Sequence, residues 1–269
     1  MPVKCRCDDA AAALPLRLAT FNIQVGIGSR KPRHLITHGW RYIMPHSQSL
    51  LNLDRIATLL AAYDIVAIQE ADAGSFRTRY VNQAEYIAKK AGFPAWHSHI
   101  IGKTGRIARH TNSLLTRVPL TGIQHHCLPG SKHGRGLLET QIQINEKKVG
   151  IFITHLSLPR RNREQQIRHL IEKINQYDSV ILMGDLNCEQ GSREFMQLLR
   201  HTQLQKNPSS PASFPSWNPT RNLDHILVSK DLFLDELQAL PHELSDHLPV
   251  SALLGENPVH DPHYSKTVP

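Results

Sequence analysis

Eight polar residues stand where apolar runs begin or stop: Asn22, Glu70, His155, Asp185, Asn187, Asp224, Asp246 and His247. Their types suit one kind of chemistry. Glu and Asp are hard oxygen ligands fit for Mg²⁺ or Mn²⁺, and Cys is absent from the set. A carboxylate beside a histidine orients it and keeps it cationic. Asn amides can donate to phosphate oxygens. A divalent ion and a cationic histidine would together stabilise the extra charge of a phosphoryl transition state. Taken singly, each residue also fits a plain strand-to-turn junction, since Gly, Asp and Asn are turn formers.

The elements that must position these groups read as strands. Val180 to Met183 is a continuous apolar run leading into Gly184-Asp185-Leu186-Asn187. In α/β proteins, catalytic groups gather at such strand ends. Leu16 to Ile23 is a first buried strand carrying Phe21-Asn22, and Ile65 to Ile68 is a second, ending in Gln69-Glu70. Ser113 to Leu115 is a brief strand followed by Arg117. Leu138, Thr140, Ile142 and Ile144 alternate with Glu139, Gln141 and Gln143, the pattern of a half-exposed strand. Residues 145–148 turn it back into Val149 to Thr154, which ends at His155. That hairpin argues against an all-parallel sheet. Asp224 to Val228 and Val250 to Leu254 are further strands, the latter entered through Ser245-Asp246-His247. Amphipathic helices are expected over 50–63, 81–91, around Ile167 to Ile174, and around Phe195 to Leu199.

Composition bounds the reading. The chain has 269 residues, 40% of them apolar, with 17 prolines, as suits a globular protein rich in loops. No run of about 18 apolar residues is present, so no membrane span is expected. Residues 1–15 read as a disordered leader, 16–254 as one domain and 255–269 as a flexible tail. The alanine run at Ala10 to Ala13 is too short for a signal-peptide core, which points to a cytoplasmic protein. Four isolated or leader-borne cysteines do not form a disulfide framework, and Cys5 with Cys7 supplies only two metal ligands. The net charge of +8 favours an anionic partner. Residues 28–49 mix cations with Trp40 and Tyr42, which suits a phosphate clamp or peripheral contact with a membrane surface, at the inner face if the protein is cytoplasmic. Oligomeric state has no handle in the sequence.

The ordered series Phe21-Asn22, Gln69-Glu70, Thr154-His155, Gly184-Asp185-Leu186-Asn187, Leu223-Asp224-His225-Ile226 and Ser245-Asp246-His247 resembles the endonuclease/exonuclease/phosphatase (DNase I-like) superfamily over about residues 16–254. The resemblance implies a four-layered α/β sandwich, with two mixed, mainly antiparallel sheets face to face and helices outside. It implies that Glu70 holds a catalytic Mg²⁺, with Asn22 and Asp246 nearby. Asp185 would activate water, Asn187 would bind the phosphate, and His247, oriented by Asp224, would contact it. His155 would bind a second oxygen or protonate the leaving group, and the division of acid and base roles stays open. DNase I-like members pair that histidine with a glutamate; no counterpart is visible here, and Asp72 is a weak candidate. His225 should be structural, because its side chain points away from that of Asp224 along a strand.

Phe214-Pro-Ser-Trp217 and the 28–49 segment are closer to a bacterial metal-dependent hydrolase subgroup than to the nucleases. The favoured expectation is a Mg²⁺-dependent phosphodiesterase acting on a phospholipid headgroup or other small diester. A DNA or RNA nuclease is the alternative; the charge would serve it, but no long run of Lys and Arg tracks a duplex. An inactive binding module on the same fold is a minor third reading, opposed by the intact acid and histidine set.

Overall fold

The computed structural model describes residues 11–28, 47–104, 107–130 and 134–256. Two sheets carry the fold. The first, in spatial order, is β10 (Leu232–Ala239), β11 (Val250–Glu256), β1 (Leu16–Asn22), β2 (Ile65–Asp72), β4 (Ala108–Thr116) and β3 (Ala95–Thr104). The second is β5 (Thr121–Cys127), β6 (Gly136–Ile144), β7 (Lys147–His155), β8 (Ser179–Asp185) and β9 (Asp224–Val228). Each sheet has one parallel pair, β1 with β2 and β7 with β8, and antiparallel neighbours around it. A helix lies between the members of each parallel pair in the sequence: α1 (Ser47–Leu60) in the first and α3 (Arg160–Ile174) in the second. The strand–helix–strand unit is thus used twice, although no fixed sequence period announces it.

Three apolar clusters define four layers. Leu18, Ile65, Leu114, Ile151, Ile181 and Ile226 interlock between the sheets. On the outer face of the first sheet, Phe21 and Ile68 meet Leu53, Ile56 and Ile87 of α1 and α2 (Gln83–Ala91). On the outer face of the second, Phe152 and Leu182 meet Ile167, Leu170 and Phe195 of α3 and α4 (Arg193–Arg200). Near-continuous apolar strands are required by this arrangement, because both faces of the central strands are covered. The result is the α/β sandwich that the sequence motifs imply.

Helix boundaries follow local chemistry. Asn82 accepts from the Glu85 amide at the start of α2, and Gly92 ends it at φ 71°. Helix α1 lies three residues earlier than its apolar spacing suggests. The ordered body also begins before Leu16: Ala12 is buried and its amide donates to the Gln143 carbonyl, so the expected leader is too long by at least that contact. Residues 1–10 of the leader, the tail beyond 256 and nearly all of the 28–49 segment lie outside the described residues. Glu139, expected on a solvated face, is buried instead, accepting from Tyr177 Oη at 2.7 Å and paired with His126 at 2.8 Å.

The inward face of each central strand is what builds the site. Leu16 and Leu18 give way to Thr20 and Asn22; Ile65 and Ala67 to Gln69; Ile151 and Ile153 to His155; Ile181 and Met183 to Asp185. Strand β9 runs the other way and starts at Asp224. Register then aligns His155 with Asp185 and Asp185 with Asp224 across neighbouring strands. One end of the sandwich is therefore polar while the rest of the interior is apolar.

Gly184 makes this register fit. Its φ of 142° disfavours an L side chain, and a Cβ there would run into the Thr154 carbonyl oxygen on the neighbouring strand. We expect Gly184→Ala to cost about 2–5 kcal/mol, combining backbone strain with overpacking. A thermal melt that matched wild type would contradict this.

Candidate active site

Asp185 sits at the centre, 1% exposed. Its Oδ1 accepts from the Asn187 amide at 2.9 Å, an Asx turn that holds Asn187 at φ 51°. Its Oδ2 accepts from Asn22 Nδ2 at 3.2 Å and lies 3.3 Å from His155 Nε2 and 3.9 Å from His247 Nε2. Burial pushes its carboxyl up to about 7, with the Asp224 charge adding to this and His247 and the Asn187 and Asn22 hydrogen bonds opposing it. Asp185 is thus a carboxylate poised to take a proton near neutrality.

The two histidines beside it are held in opposite states. His247 Nδ1 is 2.7 Å from Asp224 Oδ2. Burial alone would depress its pKa, but the Asp224 and Asp185 charges and the Asp224 hydrogen bond raise it to about 10. His247 is therefore cationic at neutral pH, donating from Nδ1. His155 is driven well below the ordinary histidine value by burial, then by the Arg135 charge. Arg135 Nη1 lies 3.0 Å from His155 Nδ1. A guanidinium can only donate. His155 Nδ1 is therefore the acceptor, its proton sits on Nε2, and that N–H faces Asp185.

Arg135 is the site residue that the sequence reading missed. The partner of His155 is this arginine and not Asp72, whose carboxylate accepts instead from Arg77 Nε at 2.7 Å, the Ser75 amide at 2.7 Å and Ser75 Oγ at 2.8 Å. Asp72 organises its own turn. The only sequence signal for Arg135 was a lone cation between Gly134 and Gly136 at the start of a strand.

The loop over 207–219 fixes Asp224 and the Asp246-His247 segment. Ser213 Oγ donates to Asp224 Oδ2 at 2.6 Å. The Ser216 amide donates to the Asp246 carbonyl at 2.7 Å and Ser216 Oγ to the Ser245 carbonyl at 2.6 Å. Phe214 lies against the His247 ring, centroids 4.8 Å apart. His225 points outward as strand alternation requires, Nε2 2.9 Å from the Cys188 carbonyl oxygen and its ring against Phe195.

Glu70 reaches the site by an irregularity. Strict alternation would turn it away, because Gln69 faces inward. The β2–β4 register shifts between Gln69 and Ala71, and Glu70 takes φ 57°. Its Oε1 then lies 4.0 Å from His155 Nδ1. Asp246 is pushed up to about 6 by burial, relieved by His247 and worsened by the Glu70 charge; Gln24 Nε2 donates to its Oδ2 at 2.9 Å. The Glu70 and Asp246 carboxylates repel one another and are oxygen donors of the kind suited to a hard divalent cation, and Asn22 Oδ1 accepts at 3.2 Å from the amide of Gln24, whose side chain holds Asp246. Ligand atoms of Asp185, Asp224 and His247 also lie within 4.8 Å of one another. Since His247 Nδ1 is already committed to Asp224, that trio reads better as a proton-holding chain than as a cation cage. Asn187 Nδ2 donates to the Leu156 carbonyl at 2.9 Å, so one of its two amide hydrogens is engaged in holding the loop.

No curated protein sequence matches the chain. A structure described as an endonuclease/exonuclease/phosphatase from Beutenbergia cavernae DSM 12333 superposes with TM-score 0.68 at 19% identity, covering 90% of this chain and 72% of that one. A mannosyl-6-phosphatase from Bacteroides thetaiotaomicron VPI-5482 gives TM-score 0.64 at 16% identity, covering 89% and 99%. A Staphylococcus aureus beta toxin mutant with bound magnesium ions gives 0.66 at 15%, covering 89% and 99%. At these identities the likeness is one of fold. The model of the Endonuclease/Exonuclease/phosphatase family matches residues 19–247, which span every site residue described above, and the chain belongs to that family of phosphoester hydrolases.

Proposed function

We propose that the protein is a divalent-metal-dependent phosphodiesterase that cleaves a phospholipid headgroup or another small diester by in-line attack of water. The observation that carries this reading is the pairing of cationic His247 with a buried, proton-accepting Asp185, beside the Glu70 and Asp246 carboxylates. A divalent ion held by Glu70, Asp246 and Asn22, Mg²⁺ or Mn²⁺ by donor type, would supply positive charge to the phosphate oxygens. Asp185 Oδ2 takes the proton of the attacking water as its oxygen bonds to phosphorus. His247 Nε2–H hydrogen-bonds the phosphate, and Asp224 holds the other ring proton at Nδ1. His155 is the neutral group that orients Asp185; His247 is the imidazole with a proton to offer the departing oxygen.

Substrate size is read from the adjoining cleft, about 600 Å³ in volume and lined by Glu70, Ile101, His110, Arg135, Ser157 and Asn162 among others. Among the described residues, no Phe, Tyr or Trp lines it. Single-stranded nucleic acid is commonly gripped by stacking on such rings. The nuclease reading keeps one supporting fact, the net charge of +8.

The test is turnover of bis(p-nitrophenyl) phosphate, phosphatidylcholine vesicles, plasmid and single-stranded DNA with Mg²⁺, with Mn²⁺ and after EDTA. Diester and lipid turnover should fall to background in EDTA and return with Mg²⁺ or Mn²⁺. Full activity in EDTA would remove the metal from the mechanism. Turnover of DNA alone would establish the nuclease instead.

A further inference from the structure

Helix α3 begins against local electrostatic preference. Its first turn holds Arg160, Arg161 and Arg163 and no acid, and Pro159 at the N-cap offers no side-chain acceptor. Cations at a helix N-terminus oppose its dipole. Arg163 is answered by Glu194 at 2.7 Å and Arg160 by Glu164 at 3.0 Å. Arg161 is exposed and has no ion-pair partner among the described residues. Just before it, Leu158 is 73% exposed, more than any other large hydrophobic residue described. Leu158 and Pro159 stand at the mouth of the cleft that holds Glu70 and Arg135.

Neither feature is explained by stability. The leucine forgoes burial and the arginine sits at the wrong end of a helix. A nucleic-acid backbone would answer the arginine and leave the leucine in water. An apolar protein groove would do the reverse. The surface of a bilayer containing anionic lipid answers both, with the leucine entering the acyl boundary and the guanidinium meeting lipid phosphate.

We propose that the Leu158–Arg161 rim is the contact by which the protein sits on an anionic phospholipid surface, with the cleft mouth turned toward the headgroups. The contact rests on the phosphodiester reading only for what the cleft then meets. It is measured without turnover, so the two can fail separately.

The experiment is co-sedimentation of the full chain with phosphatidylcholine vesicles, with and without phosphatidylserine as a third of the lipid. Wild type should bind the mixed vesicles several-fold more tightly. Leu158→Ser should weaken binding to both by about tenfold, the loss expected for withdrawing most of a leucine side chain from an apolar phase. Arg161→Glu should weaken binding to the mixed vesicles alone by about five- to tenfold. It should also melt no lower than wild type, since an acid suits a helix N-terminus, and should hydrolyse soluble bis(p-nitrophenyl) phosphate normally. Wild type that fails to sediment, or variants that sediment like wild type, would overturn the proposal. So would an Arg161→Glu defect confined to binding of a single-stranded oligonucleotide.

Discussion

Asp185→Asn should lower kcat by about 10³–10⁴-fold while its thermal midpoint stays at or above that of wild type. The amide has the size of the carboxylate, and its oxygen can still accept from the Asn187 amide. What it cannot do is take a proton, and its nitrogen, standing in for Oδ2, faces the Asn22 Nδ2 and His155 Nε2 donors, which offsets part of any gain in stability. The stability half of the prediction follows from the raised pKa. A carboxyl whose folded pKa is about 7, against an ordinary value near 3.8, binds its proton more tightly folded than unfolded. Its ionisation therefore costs folding free energy increasingly as pH rises from about 4 to about 7, and the cost persists above. Asparagine removes that cost, although His247 then loses one of its two flanking acids. Activity and melting temperature should consequently part company, a combination that general unfolding cannot produce. The check is a kcat measurement with saturating metal beside calorimetric melts at pH 5 and pH 8. If Asp185→Asn melted well below wild type at pH 8, Asp185 would be a structural anchor; if it kept near-normal kcat, the water would be activated elsewhere.

How much of this site could be read beforehand depended on how each residue reaches it. Asn22, His155, Asp185 and Asp224 lie on inward faces of strands buried on both sides. There the apolar run itself marks the element, and its polar end marks the site. Glu70 stood out as an acid at the end of an apolar strand, but its orientation was not legible: a bulge reverses the face that alternation assigns, and nothing in Gln69-Glu70-Ala71 marks it. Arg135 was missed because it precedes a strand and follows a loop, so no periodicity frames it. Strands β3, β5 and β10 were missed for a related reason. They are edge strands, and Thr121 to Cys127 is almost wholly exposed, so neither continuous nor alternating hydrophobicity was needed to form it. Pairing to a neighbour, more than its own pattern, makes that segment a strand. The 207–219 loop shows the opposite limit. Its Phe214 and Trp217 stood out, but the working contacts are two serine hydroxyls, which composition does not distinguish from any other loop serine.

Asp224→Asn is the second large effect, and it acts through His247. Asp224 accepts from His247 Nδ1 at 2.7 Å and from Ser213 at 2.6 Å, so an amide oxygen can replace it geometrically with little change of shape. The charge is what goes. Among the groups that raise His247 against the effect of burial, Asp224 leads, both by its charge and by its hydrogen bond. Without it, burial dominates and the His247 pKa should fall from about 10 toward or below the ordinary value near 6.5. At neutral pH the imidazole would then be largely uncharged, and the proton that meets the phosphate would be missing from most molecules. A loss of about 10²–10⁴-fold in kcat/KM at pH 8 is expected, in the range seen when the acid partner of a catalytic histidine is neutralised. The sign of the pH effect separates this from a general defect. Activity that requires protonated His247 is retained below its pKa and lost above it, so the alkaline limb of the profile should move several pH units toward acid. The variant should recover part of its activity as pH is lowered toward 6. The stability contribution of the ion pair runs the same way: a raised histidine pKa stabilises the fold fully below about 6.5 and loses that effect as pH rises through about 10, so the variant's melting deficit should be largest in acid and vanish in alkali. A pH–rate profile of kcat/KM on the soluble diester, over the range in which wild type stays folded, decides the matter. An Asp224→Asn profile of unchanged shape, merely scaled down, would mean that Asp224 positions the ring without setting its charge.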